Sequence, residues 1–209
     1  MITIKDNDKI LFLGDSITDI AFNKRMRRKI GGAKTYPLVV SNELKKSHKG
    51  LEFFYKGIAS DRSYLVYDRL TKDCIKLKPD VIVLLIGVND AWENYVPEEY
   101  PPLLRPFDEH MNEIFRRLKA ELPNAKLIMM TPFLIDTIEE KKPFHKVLEK
   151  YIEKELAFGK AFGAEMIELQ KMFDKKAKTV SLADMARDGV HPTNLGHSFI
   201  ADEVLKILK

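Results

Sequence analysis

The sequence predicts an α/β fold: one three-layer α/β/α domain spanning residues 1–209, built on a five-stranded parallel sheet. Three observations carry this prediction. Short β-rich runs bounded by turn residues alternate with longer stretches of helical spacing. Several of the runs lack the in/out alternation of a one-sided sheet, as expected of strands covered by helices on both faces. A chain of 209 residues with 45% apolar and 32% charged residues is long enough to bury one sizeable core, and its composition excludes disorder as the main state.

The elements follow in order. The first strand is the apolar run at residues 10–13, and the second lies at 51–55. Between them the basic stretch 24–34, with Gly31-Gly32, reads as a long loop. A less regular helical pattern covers 64–77 and leads to the third strand at 81–86. Residues 97–106 hold four of the ten prolines and read as a second long loop. The clearest helix follows, with Leu104, Phe107, Met111, Ile114, Leu118 and Leu122 spaced by threes and fours along one face. A strand at 127–130, a helix over 147–162 and a short strand at 165–167 complete the alternation. The last helix starts near Leu195, with Thr193 or Asn194 as N-cap, and turns Ile200, Val204 and Ile207 to the core. Right-handed crossovers place the ligand site of such a sheet beyond the carboxyl ends of its strands.

Composition excludes several classes of function. Thirty-five basic against 31 acidic residues give +4, too little to argue for a nucleic-acid partner. The longest apolar run, 81–88, falls far short of the roughly 20 residues of a membrane helix, so no membrane partner is expected. Lys5, Asp6, Asp8 and Lys9 break up the N-terminus before any signal-peptide core, and the expected location is cytoplasmic. Cys74 stands alone, no metal-binding spacing occurs, and neither a dinucleotide fingerprint nor a phosphate loop is present. The expected chemistry uses no metal and no cofactor; assembly into a homo-oligomer is left open.

Chemistry is therefore sought just after each strand. The first is followed by Gly14-Asp15-Ser16-Ile17-Thr18-Asp19, a tight turn exposing a hydroxyl; the second by Gly57; the third by Gly87 and Asn89. After the fifth strand and a connecting segment comes Asp188-Gly189-Val190-His191-Pro192. A serine hydroxyl is a poor nucleophile at neutral pH and needs a base, itself oriented by a third group. His191 and Asp188, three residues apart, can supply both roles to Ser16. The developing oxyanion needs donors: the backbone N–H of Ser16, the backbone N–H of Gly57 and the side-chain amide of Asn89. Each loop alone is also explained as turn and capping chemistry; four converging on one sheet edge are not.

In these blocks the sequence resembles the GDSL or SGNH hydrolase superfamily of serine esterases, nearly end to end. The resemblance implies a flavodoxin-like SGNH hydrolase fold, a triad of Ser16, Asp188 and His191, and an oxyanion hole of Ser16, Gly57 and Asn89. Within the superfamily, residues 11–19, 87–92 and 130–133 resemble intracellular acetyl-xylooligosaccharide esterases. The chain departs from the pattern in the second block. Many relatives carry Asn-x-Gly-x-Ser-Gly where this chain has Tyr55-Lys56-Gly57-Ile58-Ala59-Ser60, so Gly57 keeps its place and the later glycine is lost. Where the acetyl-xylooligosaccharide relatives tend to carry an aromatic residue two before the catalytic aspartate, this chain has Ala186.

Asp15 and Trp92 are the candidate substrate contacts, Trp92 by stacking on a sugar ring. Asp15, Asp61, Arg62, Asp90, Asp136 and Arg187, among others, follow the strand ends and are expected to form a polar rim suited to sugars. His197 reads as structural, and His48, His110 and His145 as surface residues. The expected activity is removal of a short acyl group, acetyl above all, from a carbohydrate through an acyl-enzyme, the substrate being a small-molecule ester. The alternatives are thioester or lysophospholipid hydrolysis by the same chemistry, and a flavodoxin-like binding module with no reaction.

Overall fold

The structure, a computed structural model, describes residues 1–30, 34–96 and 106–208. Its sheet consists of β1 (Lys9–Gly14), β2 (Glu52–Gly57), β3 (Val81–Leu85), β4 (Lys126–Met130) and β5 (Glu165–Ile167), in the order β2-β1-β3-β4-β5. Every pairing is parallel. Because β2 lies on one side of β1 and β3 on the other, the chain reverses its direction of travel across the sheet at β1, which opens a crevice there at the carboxyl edge. In register, Gly14 pairs with Gly57 on one side and Leu85 on the other. The loops after β1, β2 and β3 therefore leave the sheet side by side.

Strand geometry divides the core in two, since successive side chains point to opposite faces. Ile10, Phe12, Val81, Val83, Leu85, Ile128 and Met130 face one helical layer, formed by α2 (Tyr36–Leu44), α7 (Leu169–Lys176), α8 (Leu182–Met185) and α9 (Asn194–Ile207). Leu11, Leu13, Ile82, Leu84 and Met129 face the other, formed by α3 (Ser63–Asp73), α4 (Val88–Tyr95), α5 (Phe107–Glu121) and α6 (His145–Phe162). On α5 the apolar stripe buries Phe107, Met111, Ile114, Phe115 and Leu118. On α9 Thr193 is the N-cap, accepting the Gly196 N–H, and Ile200 and Val204 are fully buried.

Two sequence expectations need correction. Residues 24–30 are not loop: α1 spans Ile20–Ile30, because a run of Lys, Arg and Met has good helix propensity and outweighs the turn signal that Gly31-Gly32 spreads backwards. The remainder of that stretch, and most of 97–106, lies outside the described residues. The segment after Gly87 is likewise helix from Val88, so Asn89 sits in the first turn of α4 rather than in an open loop. Among the described residues, no helix is long and apolar enough to cross a membrane.

Candidate active site

The turn after β1 is tied down from beneath. Asp15 Oδ1 accepts the Ile17 N–H at 2.9 Å, and the Asp15 carbonyl accepts from Thr18 and Asp19, so the backbone folds back and lifts Ser16 towards the sheet edge. Asp15 is fully buried, and burial pushes its carboxyl up to about 7. It cannot be a substrate contact, as the sequence reading had it: a short side chain that bonds to the amide two residues ahead points into the turn, not out of it.

The loop after β5 and its following helices is held just as firmly. Gly189 has φ +82°, a left-handed conformation that favours glycine, and a Cβ there would fall 2.7 Å from the Ile135 carbonyl oxygen. This close approach lets Ile135 N–H donate to the Gly189 carbonyl at 2.8 Å. Thr137 Oγ1 donates to the Ala186 carbonyl and Lys141 Nζ to the Asp188 carbonyl. The segment after β4 thereby clamps residues 186–189 against the sheet edge.

Between the two loops a continuous chain of hydrogen bonds forms. Asp188 Oδ2 lies 2.7 Å from His191 Nδ1, and His191 Nε2 lies 2.9 Å from Ser16 Oγ. Burial works to raise the Asp188 carboxyl, but the hydrogen bond and charge of His191, with the amides of His191 and Val190, overcome it and hold the group at about 2. An ionised carboxylate can only accept, so Nδ1 carries the ring hydrogen and Nε2 offers its lone pair to the Ser16 hydroxyl. The Phe22 ring packs against the imidazole, with centroids 5.0 Å apart. This arrangement can draw a proton from Ser16 Oγ as it attacks a carbonyl carbon.

Asn89, in the first turn of α4, and Gly57, at the end of β2, are the expected oxyanion donors besides Ser16. Asn89 Nδ2 donates to the Asp61 carbonyl at 2.8 Å, which fixes which end of the amide is nitrogen and leaves its second N–H available. Gly57 occupies the last position of β2. There Ile58 N–H donates to Gly14, and since successive strand amides alternate in direction, the Gly57 N–H faces the open sheet edge. Its glycine identity answers to packing: a Cβ would fall 2.3 Å from Asp19 N and 2.4 Å from the Thr18 carbonyl carbon. Three residues on, Ser60 has φ +69°, unusual for a residue with a side chain. It is exposed, it precedes the carbonyl that holds Asn89, and no hydrogen bond among the described residues engages its N–H. The second block's missing glycine falls at this position, and the backbone keeps the conformation a glycine there would adopt.

A cavity of about 180 Å³ opens beside Ser16, lined by Val88, Asn89, Trp92, Lys141, Asp188, Val190 and His191. Trp92 thus faces the site. Most of the expected polar rim does not. Asp61 and Asp90 are buried, Asp61 paired with Arg69 and Asp90 accepting from the Ser63 N–H and hydroxyl, while Arg62 pairs with Glu93 at 2.9 Å. These groups build the walls. Burial also pushes Asp90 up to about 6 and raises Glu155 well above the carboxylate range, its carboxyl packed against Gly87. His145 pairs with Asp136 and His110 lies against the rings of Tyr64 and Tyr67, and neither lines the cavity. The sequence reading missed Asn23, Phe22 and Lys141, and it read the fully buried His197 as structural. Of these, only Asn23 had a signal, as a polar residue four positions after Asp19.

Over residues 12–199 the sequence matches the GDSL-like Lipase/Acylhydrolase family. It is 27% identical over 212 residues to an acetylxylan esterase of Geobacillus stearothermophilus, an alignment covering 97% of this chain and 94% of that one. The crystal structure of an acetylxylan esterase from the same organism superposes with a TM-score of 0.78 at 28% identity, covering 98% of this chain and 95% of the other. An isoamyl acetate-hydrolyzing esterase of Saccharomyces cerevisiae is 23% identical, over 98% of this chain and 87% of that one.

Proposed function

The chain belongs to the GDSL-like Lipase/Acylhydrolase family and is a serine carboxylesterase, and from that premise we propose that it removes acetyl groups from small carbohydrates through an acyl-enzyme. The observation that carries the reading is the unbroken chain from Asp188 through His191 to Ser16, at 2.7 and 2.9 Å, on the edge of a cavity of about 180 Å³. In this reading Ser16 Oγ attacks the ester carbonyl while His191 Nε2 takes its proton. Asp188 holds the imidazole in the required tautomer and stabilises the imidazolium. Collapse of the tetrahedral intermediate releases the sugar, to which His191 returns the proton; water then enters, is deprotonated by the same nitrogen and attacks the acyl carbon, and acetate leaves as His191 returns that proton to Ser16 Oγ. The oxyanion donors we assign are the backbone N–H groups of Ser16 and Ser60 and the side-chain amide of Asn89, with Ser60 taking the place expected of Gly57.

Acetyl is favoured because the cavity beside His191 is well below the roughly 300–1,000 Å³ of sites that enclose larger ligands. Trp92 lines the cavity with Lys141 Nζ over its ring, 5.7 Å from the centroid, so the indole and the ammonium together supply the contact to a sugar in this reading. The acetylxylan and isoamyl acetate relatives share an acetyl group and differ in alcohol, which supports acetyl more firmly than any one sugar. The test is a series of aryl esters from acetyl to decanoyl together with acetylated xylose and xylo-oligosaccharides. The expected kcat/KM peaks at acetyl or propionyl, with release of acetate from the sugars; activity climbing through decanoyl with none on the sugars replaces the reading with a lipid or thioester substrate.

A further inference from the structure

Behind the nucleophile turn, on the side away from the cavity, a buried polar circuit runs from α1 to α9. The Asn23 amide nitrogen lies 2.8 Å from the Ser16 carbonyl oxygen and 2.8 Å from that of Asp19. Two carbonyl oxygens can only accept, so this end of the side chain is the NH₂ group. Its oxygen then faces His197 Nε2 at 3.2 Å, so that nitrogen carries the ring hydrogen. The lone pair left on Nδ1 accepts the Tyr36 N–H at 3.3 Å. The Tyr36 hydroxyl returns to the same turn, 2.9 Å from Thr18 Oγ1. From the Ser16 carbonyl to the Tyr36 amide every donor and acceptor has one consistent assignment, and in the Tyr36–Thr18 pair either hydroxyl can donate. Burial, with the charge of His191 beyond it, pushes His197 down to about 3, so the ring stays neutral and keeps the Tyr36 bond.

We propose that Asn23 and His197 are positioning residues for ester hydrolysis, holding the Ser16 turn and the His191 loop at a fixed separation from behind. Asn23 lies seven residues after Ser16 and grips its carbonyl; His197 lies six residues after His191, one turn beyond the Thr193 cap of α9. The Ser16–His191 bond joins two segments 175 residues apart, and Asn23–His197 is a second strut between the same segments. An apolar pair of equal volume would fill this space without the desolvation that two buried polar side chains incur. What the polar pair adds is direction: it fixes the Ser16–Ile17 peptide plane, and with it the Ser16 Cα–Cβ vector, relative to the helix that carries the base. A misplacement of about 1 Å in such a constellation costs on the order of 100-fold in rate.

The inference rests on Ser16 being the nucleophile, and the experiment separates the two. Asn23→Ala removes the donor to Ser16, and Asn23→Asp, without change of volume, leaves at most one O–H where the amide holds both the Ser16 and Asp19 carbonyls. His197→Phe keeps a ring and removes both bonds, whereas His197→Gln can restore one. Each is assayed on an aryl acetate and for its rate of labelling by a serine-directed phosphonate, beside Ser16→Ala and the core control Val204→Ala. Expected are kcat losses of roughly 10- to 100-fold at nearly constant KM in Asn23→Asp and His197→Phe, matched by slower labelling, with partial recovery in His197→Gln. The double variant Asn23→Asp/His197→Phe should be no slower than the worse single, because one circuit is broken once. Val204→Ala should lower the melting temperature with kcat retained. If kcat in the isosteric variants stays within threefold of wild type, or falls only as the melting temperature does in step with Val204→Ala, the positioning role is overturned while the nucleophile stands. If Ser16→Ala retains activity, the reading beneath it fails instead. Should the alanine variant not fold, Asn23→Asp and His197→Gln decide.

Discussion

At Ser16 the backbone does as much as the side chains. Asp15 braces the turn from within, Asn23 from behind, and the hydroxyl is left with His191 as its partner. Ser16→Ala should lower kcat by about 10⁴ or more with the fold intact, measured by aryl acetate turnover and melting temperature. Asp188 is held at about 2, so the carboxylate that orients His191 stays ionised well into acid. Under the same turn the Asp15 carboxyl is held up near 7. Asp15→Asn keeps the acceptor for the Ile17 amide, so kcat and KM at neutral pH should both survive; loss of kcat in that variant with the fold intact would give the Asp15 carboxyl a part in the reaction. The two assignments for the second oxyanion donor also separate here. Ser60→Gly should match or exceed wild-type kcat, since glycine accepts φ +69° without strain, and Ser60→Val should lower it with KM little changed. Asn89→Ala should cost roughly 10²–10³ in kcat, about 2.7–4 kcal/mol. Gly57→Ala does not discriminate, because its Cβ would collide with the Asp19 amide whatever donor the site uses.

At the scale of elements, what periodicity and punctuation determine was legible and what tertiary contact determines was not. The five strands and the helices α5, α6 and α9 announce themselves by apolar runs or by spacings of three and four, and each lies where that pattern puts it. Helices α4, α7 and α8, of eight, eight and four residues, are too short to display a period. The three side chains of the Asp188–His191–Ser16 chain were legible because reactive residue types recur at strand ends. Gly57 was legible only as a glycine, which has two uses in such a loop, clearing space for a neighbour or freeing an amide, and sequence shows only that Cβ is absent. The role we propose for Ser60 was invisible for the converse reason: it rests on φ and not on the side chain. The polar rim failed because carboxylates near a strand end serve equally to pin loops, as Asp61 does with Arg69 and Asp90 with Ser63. The element most exposed to a single backbone change is the loop clamped by the segment after β4. Gly189→Ala places a Cβ in left-handed backbone and 2.7 Å from the Ile135 carbonyl, so about 1–3 kcal/mol of stability should be lost and kcat should fall with it. Chemical denaturation beside kinetics checks this; a fully active, equally stable variant would show that the loop relaxes freely.

For the whole molecule, the acids built into the walls of the site set an unusual dependence of stability on pH. Asp15 is held up near 7, Asp90 near 6, and Glu155 and Asp61 are raised as well, each chiefly by burial, against roughly 4 for a carboxyl in an unfolded chain. A group whose folded value is raised contributes stability that is complete below the unfolded value and is lost as pH rises through the folded one. His197 has the opposite sense: depressed to about 3 from about 6.5, it contributes stability above 6.5 that is lost as pH falls towards 3. Between about pH 4.5 and 6 the native chain therefore holds protons on Asp15, Asp90 and Glu155 that the unfolded chain has released, while the unfolded chain carries one more on His197. The carboxyls outnumber the histidine, and each net proton corresponds to about 1.4 kcal/mol per pH unit. The melting temperature should accordingly fall as pH rises from 4.5 to about 7, the reverse of an ordinary acid-labile enzyme, and fall less steeply once Asp15 has ionised. Calorimetric scans across that range, on wild type and on Glu155→Gln, measure it directly. The neutral isostere should flatten the slope and melt higher than wild type at pH 7–8, where the native acid must either stay protonated against the solvent or ionise in the core. A wild-type melting temperature that climbs from 4.5 to 7, with no gain in Glu155→Gln, would show that these carboxyls are solvated in the folded state and that the walls of the site are not built on neutral acids.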